Sequence, residues 1–377
     1  MKQDWVNKKM GELCEVSTGK SNTEDANEDG QFAFFDRSRI IKKSTKYLFD
    51  CDAIIIAGEG QTFLPKFYSG KFDLHQRAYA IYNFNEDVSI HYVYKYLIYI
   101  HKYFADVAVG ATAKSLRLRH FHDLPINYPP LSEQQRIVSI LDQTFVVLDK
   151  AKENTQRNLQ NAKGLFESYL QNIFDNKGQN WEEVKLSELA TYITDGDHMP
   201  PPKTKEGIPF ITISNINKES HHIDFSDTFT VSKEYYQKLK VNRRPQNGDV
   251  LYTVTGSYGI PVLIETDMEF CFQRHIGLIR PKENVINKWL FYWILSPQAI
   301  NQANDTATGT AQKTVSLSAL RNFRVPKMTL IDQQTIVASL DALSIETKRL
   351  EAIYQQKLLN LEELKKSVLQ KVFNGEL

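Results

Sequence analysis

Pro129-Pro130-Leu131-Ser132-Glu133-Gln134-Gln135-Arg136-Ile137-Val138-Ser139-Ile140-Leu141-Asp142 occurs a second time, as Met328-Thr329-Leu330-Ile331-Asp332-Gln333-Gln334-Thr335-Ile336-Val337-Ala338-Ser339-Leu340-Asp341. Gln134 corresponds to Gln333, so the offset between the copies is 333 − 134 = 199 residues. The same offset continues without a gap to Phe174 and Phe373. An unbroken offset over this length predicts a tandem duplication.

Each copy follows a longer globular segment, and these two segments also correspond. Trp5 matches Trp181, at an offset of 181 − 5 = 176. Gln76-Arg77 matches Gln273-Arg274, at an offset of 273 − 76 = 197. The growing offset predicts insertions in the second segment, because loops accept extra residues at little cost. We therefore expect four parts, at residues 1–128, 129–176, 177–327 and 328–377.

The signals within the two globular segments are short and mostly strand-like. Apolar residues predict strands at 32–35, at 52–57 and within 72–84, and at 209–213, 248–253 and 271–279 of the second segment. Apolar residues at helical spacing predict a helix at 90–104 and its counterpart at 289–295. The predicted fold class is α+β, with two tandem, pseudo-symmetric, sheet-rich domains.

The repeated stretches begin segments of another kind. Neither proline nor glycine occurs between residues 330 and 373, and helix formers dominate there. Apolar residues recur at alternating spacings of three and four, which is typical of a coiled-coil seam. The seam runs from Ile137 through Leu141 to Leu165 and Tyr169, and from Ile336 through Leu340 to Leu364 and Val368.

Signals for a helix start stand at the head of both segments. Ser132 and Gln135 predict a capping box in the first copy, and Thr329 with Asp332 predicts a similar one in the second. A helix of about forty residues extends roughly 60 Å at about 1.5 Å per residue, which is too long to bury its apolar stripe against one small domain. We predict that the two helices pair as an antiparallel coiled-coil spacer. The alternative is that each helix only closes the core of its own domain.

Composition restricts the class of protein. Among 377 residues the formal net charge is +1, with 42% hydrophobic and 24% charged residues, as in ordinary globular proteins. Three widely separated cysteines argue against a disulfide framework and suit a reducing compartment. The N-terminal residues lack the apolar core of a signal peptide, and no apolar run reaches the length of a membrane span. We expect a soluble, cytoplasmic protein of several domains.

The residues needed for catalysis do not stand out. Residues 110–115 resemble the end of a phosphate-binding loop but lack the glycine before Lys114. The histidine pairs His120/His122 and His221/His222 have no cysteine or carboxylate at the spacing of a zinc site, and we expect them to be surface residues. Neither a Ser-His-Asp signature nor a nuclease carboxylate cluster is recognisable. We therefore predict no catalytic residue, no metal and no cofactor on this chain.

Several polar and basic positions suit contact with DNA. Residues 110–120 combine small residues with Lys114, Arg117 and Arg119, and the second copy carries Lys313 and Thr314. The alternative there is a solvated loop that leads into a helix. Gln76-Arg77 and Gln273-Arg274 have the side chains that pair with adenine and guanine edges. They also suit a buried arginine that satisfies backbone carbonyls, which we favour for a duplicated pair within a strand.

Two further regions differ between the copies. Residues 58–62, with Gln61, and residues 255–259, with Ser257 and Tyr258, are expected to be equivalent hairpin tips with unlike side chains. The basic run of Arg37, Arg39, Lys42 and Lys43 has no basic counterpart in the second copy. Such differences favour two domains that read two different DNA half-sites.

The chain resembles the specificity subunits of type I restriction-modification systems over essentially its whole length. The most specific marks are the paired glutamines and the terminal Phe373-Asn374-Gly375-Glu376-Leu377. The resemblance implies two target-recognition domains, each reading half of a bipartite double-stranded DNA target. It implies spacer helices that dock two modification (methyltransferase) subunits, with restriction (translocase) subunits joining the complex. For partner contact we expect the four glutamines Gln134, Gln135, Gln333 and Gln334.

The same resemblance places the chemistry elsewhere. S-adenosylmethionine, ATP and Mg²⁺ are expected only on the partner subunits, so this chain would recognise DNA without modifying it. The alternative function is a stand-alone, double-headed, sequence-specific DNA-binding regulator, which would need no partner.

Overall fold

The computed structural model describes residues 4–110, 114–175, 181–199 and 201–376. The chain forms two compact units. Unit 1 comprises Met1–Gln156 together with Gln355–Leu377, and unit 2 is Arg157–Tyr354. Each unit therefore contains one globular segment and parts of two long helices. Strands and helices occur in both units, so the predicted α+β class is confirmed.

Unit 1 is built on a large mixed sheet and a separate two-stranded ladder. The large sheet has the strand order β2-β7-β5-β6-β3-β4, in which β3 and β6 are parallel, and β1 pairs with β8. The elements are β1 (Val6–Lys9), β2 (Glu15–Thr18), β3 (Phe32–Phe35), β4 (Lys42–Ser44), β5 (Phe49–Ala57), β6 (Lys66–Leu74), β7 (Ala78–Tyr82), α1 (Ile90–Tyr99), α2 (His101–Val107), α3 (Leu118–His122), β8 (Pro125–Tyr128) and the first part of α4 (Leu131–Asp175).

Unit 2 repeats this plan with insertions and divides its strands differently. Its sheets have the orders β10-β16-β13-β14, β12-β11-β15 and β17-β9. The elements are β9 (Glu182–Lys185), α5 (Leu186–Leu189), β10 (Ala190–Asp195), β11 (Ile208–Ile211), β12 (Phe229–Val231), α6 (Lys233–Lys238), β13 (Val250–Thr253), β14 (Pro261–Leu263), β15 (Cys271–Phe272), β16 (Ile276–Pro281), α7 (Asn287–Leu295), α8 (Pro297–Thr306), α9 (Leu317–Arg321), β17 (Arg324–Lys327) and the first part of α10 (Leu330–Phe373).

The main core of unit 1 lies between the sheet and the helices. Side chains alternate across β5, so Ile54 and Ile56 join this core while Ala53 and Ile55 face a second cluster. The end of α10 completes the main core. The Phe373 ring, for example, lies 5.3 Å from the Tyr96 ring, centroid to centroid.

Unit 2 is closed in the corresponding way by the end of α4. Leu170 and Phe174 are buried with Trp289, Trp293 and Leu340 in its largest core cluster. Each unit thus takes part of its core from the helix that follows the other globular segment in sequence.

The two long helices run antiparallel within unit 1. Lys152 pairs with Glu362, and Lys365 Nζ lies 3.2 Å from Asp149 Oδ1, so residue numbers rise on one helix as they fall on the other. Both ion pairs are exposed and contribute little to stability. Their order along the two helices shows the antiparallel pairing that was predicted.

The predicted seam is correct at the start of each helix and shifts towards its end. Leu141 is buried, but Leu165 and Tyr169 are 46% and 40% exposed, whereas the adjacent Leu170 is buried. Leu364 is 49% exposed in the same way. An α-helix drifts by about 20° per heptad relative to a strict seven-residue repeat, so after about four heptads the buried stripe has moved by nearly one residue.

The cap prediction for the first copy is wrong. Because α4 begins at Leu131, Ser132 lies inside the first turn, and the Glu133 and Gln134 amides donate to Pro130 O. The second copy has the side-chain cap, in which the Asp332 amide donates to Thr329 Oγ1 at 3.2 Å.

Three predicted elements are interrupted in the structure. The region 72–84 is split by a turn at residues 75–77, between β6 and β7, and the strand predicted at 271–279 is split in the same way at residues 273–275, between β15 and β16. The predicted helix at 90–104 is divided at Ile100, whose φ of −90° and ψ of 16° separate α1 from α2. The first of these breaks matters for function, because it moves Gln76 and Arg77 from a strand into a turn.

Candidate nucleic-acid interface

In unit 1 the predicted DNA-contacting loops meet at one edge of the large sheet. Since β3 and β6 are parallel and Phe35 pairs with Leu74, the loops after both strands leave the same edge. The Gly58 amide donates to Arg77 O at 2.8 Å, which brings the tip after β5 to the turn at 75–77. A Cβ at residue 58 would lie 2.5 Å from Arg77 O, so this approach requires glycine.

The segment before α3 completes this surface. The Gly60 amide donates to Lys114 O at 3.1 Å, and the Leu116 amide donates to Gly58 O at 2.8 Å. Residues 111–113 of the predicted loop lie outside the described residues. The structure thus brings together Gln61, Gln76, Arg77 and Lys114, which sequence reasoning had named separately.

Glu59 is the charged centre of the surface in unit 1. Nη1 of Arg77 donates to both carboxylate oxygens of Glu59, at 2.9 and 3.0 Å. Nη1 of Arg37 lies 4.0 Å from the same carboxylate. The arginine side chains are 60% and 65% exposed, whereas that of Glu59 is 18% exposed. The expectation of a buried arginine that satisfies carbonyls is therefore wrong for Arg77.

The basic run of residues 37–43 forms a fixed loop that leads into β4 at Lys42. Burial alone would raise the pKa of the Asp36 carboxyl, but hydrogen bonds from Lys42 and Ser38 outweigh it and lower that pKa. Lys66 Nζ donates to the Ser38 and Arg39 carbonyls, at 3.0 Å each. Lys42 is thus held by Asp36 at 2.7 Å. The exposed basic residues are Arg37, Arg39 and Lys43.

The remaining positions of unit 1 are exposed but differ in surroundings. Lys114 Nζ donates to Ala105 O at 2.6 Å, and Gln76 Nε2 donates to Asn22 Oδ1. Arg117 and Arg119 are exposed at the start of α3. His120, expected at the surface, is buried and accepts the Arg117 amide at Nδ1, at 3.1 Å.

Unit 2 has the same backbone arrangement at its corresponding edge. The Gly256 amide donates to Lys313 O at 3.0 Å, and the Val315 amide donates to Val254 O at 2.8 Å. These bonds match those of Gly60 and Leu116 in unit 1. Gly58 and Gly60 therefore correspond to Val254 and Gly256. Residues 58–62 are thus equivalent to residues 254–258, one residue earlier than the predicted 255–259, and Thr255 takes the place of Glu59.

The hydrogen bonds also correct the alignment of Gln76-Arg77 with Gln273-Arg274. His75 N donates to Phe35 O as Gln273 N does to Ile211 O. Gln76 N donates to Ser21 O as Arg274 N does to Asp197 O. The structural offset is thus 274 − 76 = 198, and the counterpart of Arg77 is His275. The two Gln-Arg pairs are therefore not structurally equivalent, because Gln76 corresponds to Arg274 and not to Gln273.

Three of the side chains predicted in unit 2 form hydrogen bonds within the unit. Tyr258 OH donates to Asn304 Oδ1 at 2.9 Å, and Arg274 Nε donates to His275 Nε2 at 3.3 Å. Thr314 Oγ1 donates to Thr255 Oγ1 at 3.3 Å. Ser257 and Lys313 are exposed, while Gln273 is half-buried.

Sequence reasoning missed a charged cluster beside this edge of unit 2. Asp195 accepts Nη2 of Arg243 at 3.1 Å and lies 2.9 Å from Nε2 of His198. The Asp197 amide, two residues on, donates to Phe272 O at 3.1 Å and so fixes the cluster next to residues 273–275. The run Asp195-Gly196-Asp197-His198 was a visible signal, but its partner Arg243 is 48 residues away.

Two of the four predicted partner-binding glutamines are internal. Gln134 is fully buried: its Oε1 accepts the Ser89 amide at 2.8 Å, and its Nε2 donates to Asp87 O and Pro129 O. Gln333 makes the equivalent bonds, with its Oε1 accepting the Ile286 amide at 2.7 Å. These two side chains tie the long helix to α1 or α7 and leave no polar atom for a partner. Gln135 and Gln334 are exposed.

In the part of the chain that the structure describes, no cluster of three or more His, Cys, Asp or Glu side chains is arranged to hold a metal ion. Burial raises the pKa of the Cys14 and Cys271 thiols to about 12, so both are protonated at neutral pH. Among the described helices, none combines the length and apolarity needed to cross a membrane.

Known proteins share this sequence pattern and fold. The family model for the type I restriction modification DNA specificity domain matches residues 2–160 and 178–360. The EcoDI specificity subunit of Escherichia coli is 24% identical, covering 99% of this chain and 89% of that protein. The MjaVIII specificity subunit of Methanocaldococcus jannaschii is 24% identical, covering 68% of this chain and 63% of that protein.

Solved structures support the same fold. One, which concerns complex assembly and conformational transition of the type I R-M system, has a TM-score of 0.76 at 18% identity and covers 100% of this chain and 99% of that one. The HsdS subunit from Thermoanaerobacter tengcongensis has a TM-score of 0.63 at 17% identity, covering 100% and 98%. The resemblance found in the sequence is thereby confirmed. The chain belongs to the type I restriction-modification DNA specificity family and is a non-catalytic specificity subunit, whose partners are DNA and the methyltransferase and restriction subunits of such a system.

Proposed function

We propose that this subunit reads a bipartite double-stranded DNA target, with residues 1–128 and 177–327 as the two target-recognition domains. One observation carries the proposal: the same backbone hydrogen bonds form at one edge of each unit, while the side chains on them differ. Glu59 faces Ser115 where Thr255 faces Thr314, and Arg77 stands where the second copy has His275. Equivalent scaffolds with unlike donors suit two unlike half-sites. A stand-alone regulator is not favoured.

Both kinds of contact that DNA recognition requires have candidates in each unit. Exposed lysines and arginines supply phosphate contacts that set the register, while arginine, glutamine and serine can pair with base edges. We assign these roles to the positions already named: Arg37, Arg39, Lys42, Lys43, Gln61, Gln76, Arg77, Lys114, Arg117 and Arg119 in unit 1, and Ser257, Tyr258, Gln273, Arg274, Lys313 and Thr314 in unit 2. Lys42 would have to leave Asp36 to touch DNA.

We further propose that two modification subunits dock on residues 129–176 and 328–377, which form the spacer. Three pairs of duplicated positions support this, because each pair exposes an aliphatic side chain on both helices: Leu131 and Leu330, Val146 and Ile345, Leu165 and Leu364. Gln135 and Gln334 are exposed near the first pair. A surface that occurs twice fits two copies of one partner, and exposed apolar positions are typical of interfaces.

The chemistry would then belong to the partners. A modifying enzyme must flip its target base out of the duplex, and S-adenosylmethionine, ATP and Mg²⁺ would serve the modification and restriction subunits. The complex must reach the DNA that it modifies, which agrees with the cytoplasmic location expected from the sequence.

The experiment that tests this function is a methylation map. The chain is co-expressed with a candidate modification subunit, and modified bases across the host genome are located by single-molecule sequencing. We expect two short specific blocks separated by an unread gap of fixed length. A stable complex that methylates a continuous motif, or sequence-specific binding by the chain without any complex, would contradict the proposal.

Lys114→Ala is expected to weaken binding to all DNA sequences alike. Its ammonium has three donors, of which one is used by Ala105 O, so two are available for phosphate. The salt dependence of binding should become shallower by about one unit of slope, measured by titrating labelled duplex at several salt concentrations. Lys313→Ala is the matched variant in unit 2. Loss of discrimination at a single base pair would instead make either lysine a base reader.

A further inference from the structure

We propose that half-buried carboxylates, Glu59 in unit 1 and Asp195 in unit 2, are positioning residues that hold cationic side chains ready for base recognition. The inference rests on the proposed function and adds the residues that fix its selectivity. Neither carboxylate would itself need to touch a base. Each would act through the side chains next to it: the arginines Arg77 and Arg37 in unit 1, and Arg243 with the imidazole of His198 in unit 2.

The geometry around Glu59 is that of a fixed anchor. Three backbone hydrogen bonds, from Gly58 N, Gly60 N and Leu116 N, hold its loop against the turn at 75–77 and the segment before α3. Its carboxylate is 18% exposed and contacts Nη1 of the largely exposed Arg77 with both oxygens. The Glu59 carboxylate is thus mostly buried, whereas the Arg77 side chain that it holds is largely exposed.

A carboxylate–arginine pair of this kind lowers the affinity for DNA in general and raises the selectivity for one base. A carboxylate near DNA repels phosphate, so it lowers the sequence-independent attraction that dominates binding. In return it restricts a flexible arginine to fewer conformations, which lowers the entropy lost when that arginine pairs with a base. Arg77 has five N–H donors in a rigid fork and uses only its Nη1 on Glu59 among the contacts seen, so the fork can still present donors to guanine.

Unit 2 reaches the same arrangement with residues that are not equivalent. Asp195 ends β10, is 17% exposed and accepts Arg243, whose side chain is 29% exposed. His198 contacts the other carboxylate oxygen. The position equivalent to Glu59 is occupied by Thr255. Each unit therefore holds at least one arginine on a carboxylate at the edge where its predicted DNA-contacting residues lie, although the two carboxylates are not at equivalent positions.

The test uses the complex of the full chain with its modification subunits and a randomised double-stranded DNA library. Bound duplexes are sequenced for the native chain, Glu59→Gln and Asp195→Asn, which keep side-chain size and remove the charge. In Glu59→Gln we expect discrimination to fall by about tenfold at one or two base pairs of one half-site, with the other half-site unchanged. Asp195→Asn should change the other half-site only, so each variant is the control for the other.

Two further measurements separate positioning from a merely structural role. Binding to random DNA at low salt should strengthen by about two- to fivefold in both variants, because a negative charge is removed. In an Arg37→Ala and Arg77→Ala background, Glu59→Gln should cause no further loss of selectivity, since the arginines through which it acts are gone.

The outcomes distinguish the two proposals. If the native complex selects no motif from the library, the proposed function fails. If the native complex selects a motif and both variants select the same one equally well, the positioning role is wrong. Equal loss at both half-sites from either variant would also overturn it, because that result indicates general unfolding.

Discussion

Val146→Arg is expected to remove one modification subunit from the assembled complex, and Ile345→Arg the other. The two residues occupy the same position in the duplicated helices, since 345 − 146 = 199, and their side chains are 69% and 70% exposed. Because they are exposed, arginine should not disturb the fold. At a protein interface, however, an unpaired guanidinium would cost about 3 kcal/mol or more, which is roughly a hundredfold in affinity.

Native mass spectrometry of the co-expressed complex measures this directly. Each single variant should give one modification subunit per specificity subunit, and the double variant none. Val146→Leu and Ile345→Leu keep an aliphatic side chain and should assemble as the native chain does. Full assembly of the double arginine variant would show that the partner docks elsewhere.

Phe373→Ala is expected to destabilise unit 1 by about 3–5 kcal/mol and leave unit 2 almost unchanged. The ring is 5% exposed and packs against Tyr92, Tyr96 and Tyr99, with centroid distances of 5.6, 5.3 and 5.2 Å. Removing it leaves a cavity in the main core of unit 1. Hydrogen exchange should show faster exchange of the amides of α1 while those of α7 keep their protection.

The matched variant is Phe174→Ala, since the residue is buried in the core of unit 2 at the equivalent position. It should accelerate exchange in α7 and spare α1. If both variants destabilised both units equally, the helix ends would not belong to separate cores.

The sequence predicted most accurately what depends on regular spacing. The two long helices follow from the repeat, because helix formation is read from local composition and periodicity. The start of α10 at Leu330 agrees with the predicted cap at Thr329, whereas α4 begins before Ser132, the residue predicted as its cap. The buried positions of the seam were predicted correctly only near the start of each helix, where the seven-residue repeat still coincides with the turns of the helix. Leu165 fell outside the buried stripe because the difference between 3.5 and 3.6 residues per turn accumulates along the chain.

The candidate interface was predicted less completely, for reasons of distance along the chain. Arg77 was identified, but its partner Glu59 is 18 residues away, and its exposure depends on a turn that the alternating pattern concealed. Arg243 carried no local signal, because only folding brings it to Asp195. Gln134 was expected to contact a partner at the surface, yet it is buried. Its amide instead bonds with the backbone groups of Ser89 and Asp87, which are 45 and 47 residues away in the sequence.

The composition of the two units also has a consequence for synthesis on the ribosome. Unit 2 is one continuous segment, Arg157–Tyr354, so every residue of its core is available before translation has finished. Unit 1 begins first but lacks Leu369, Val372 and Phe373 until the end of α10 has been synthesised. Unit 1 therefore stays incompletely packed during the time in which unit 2 can already fold. Chains that stop early would display an open N-terminal core beside a finished second unit, and such exposed apolar surface is what chaperones and proteases recognise.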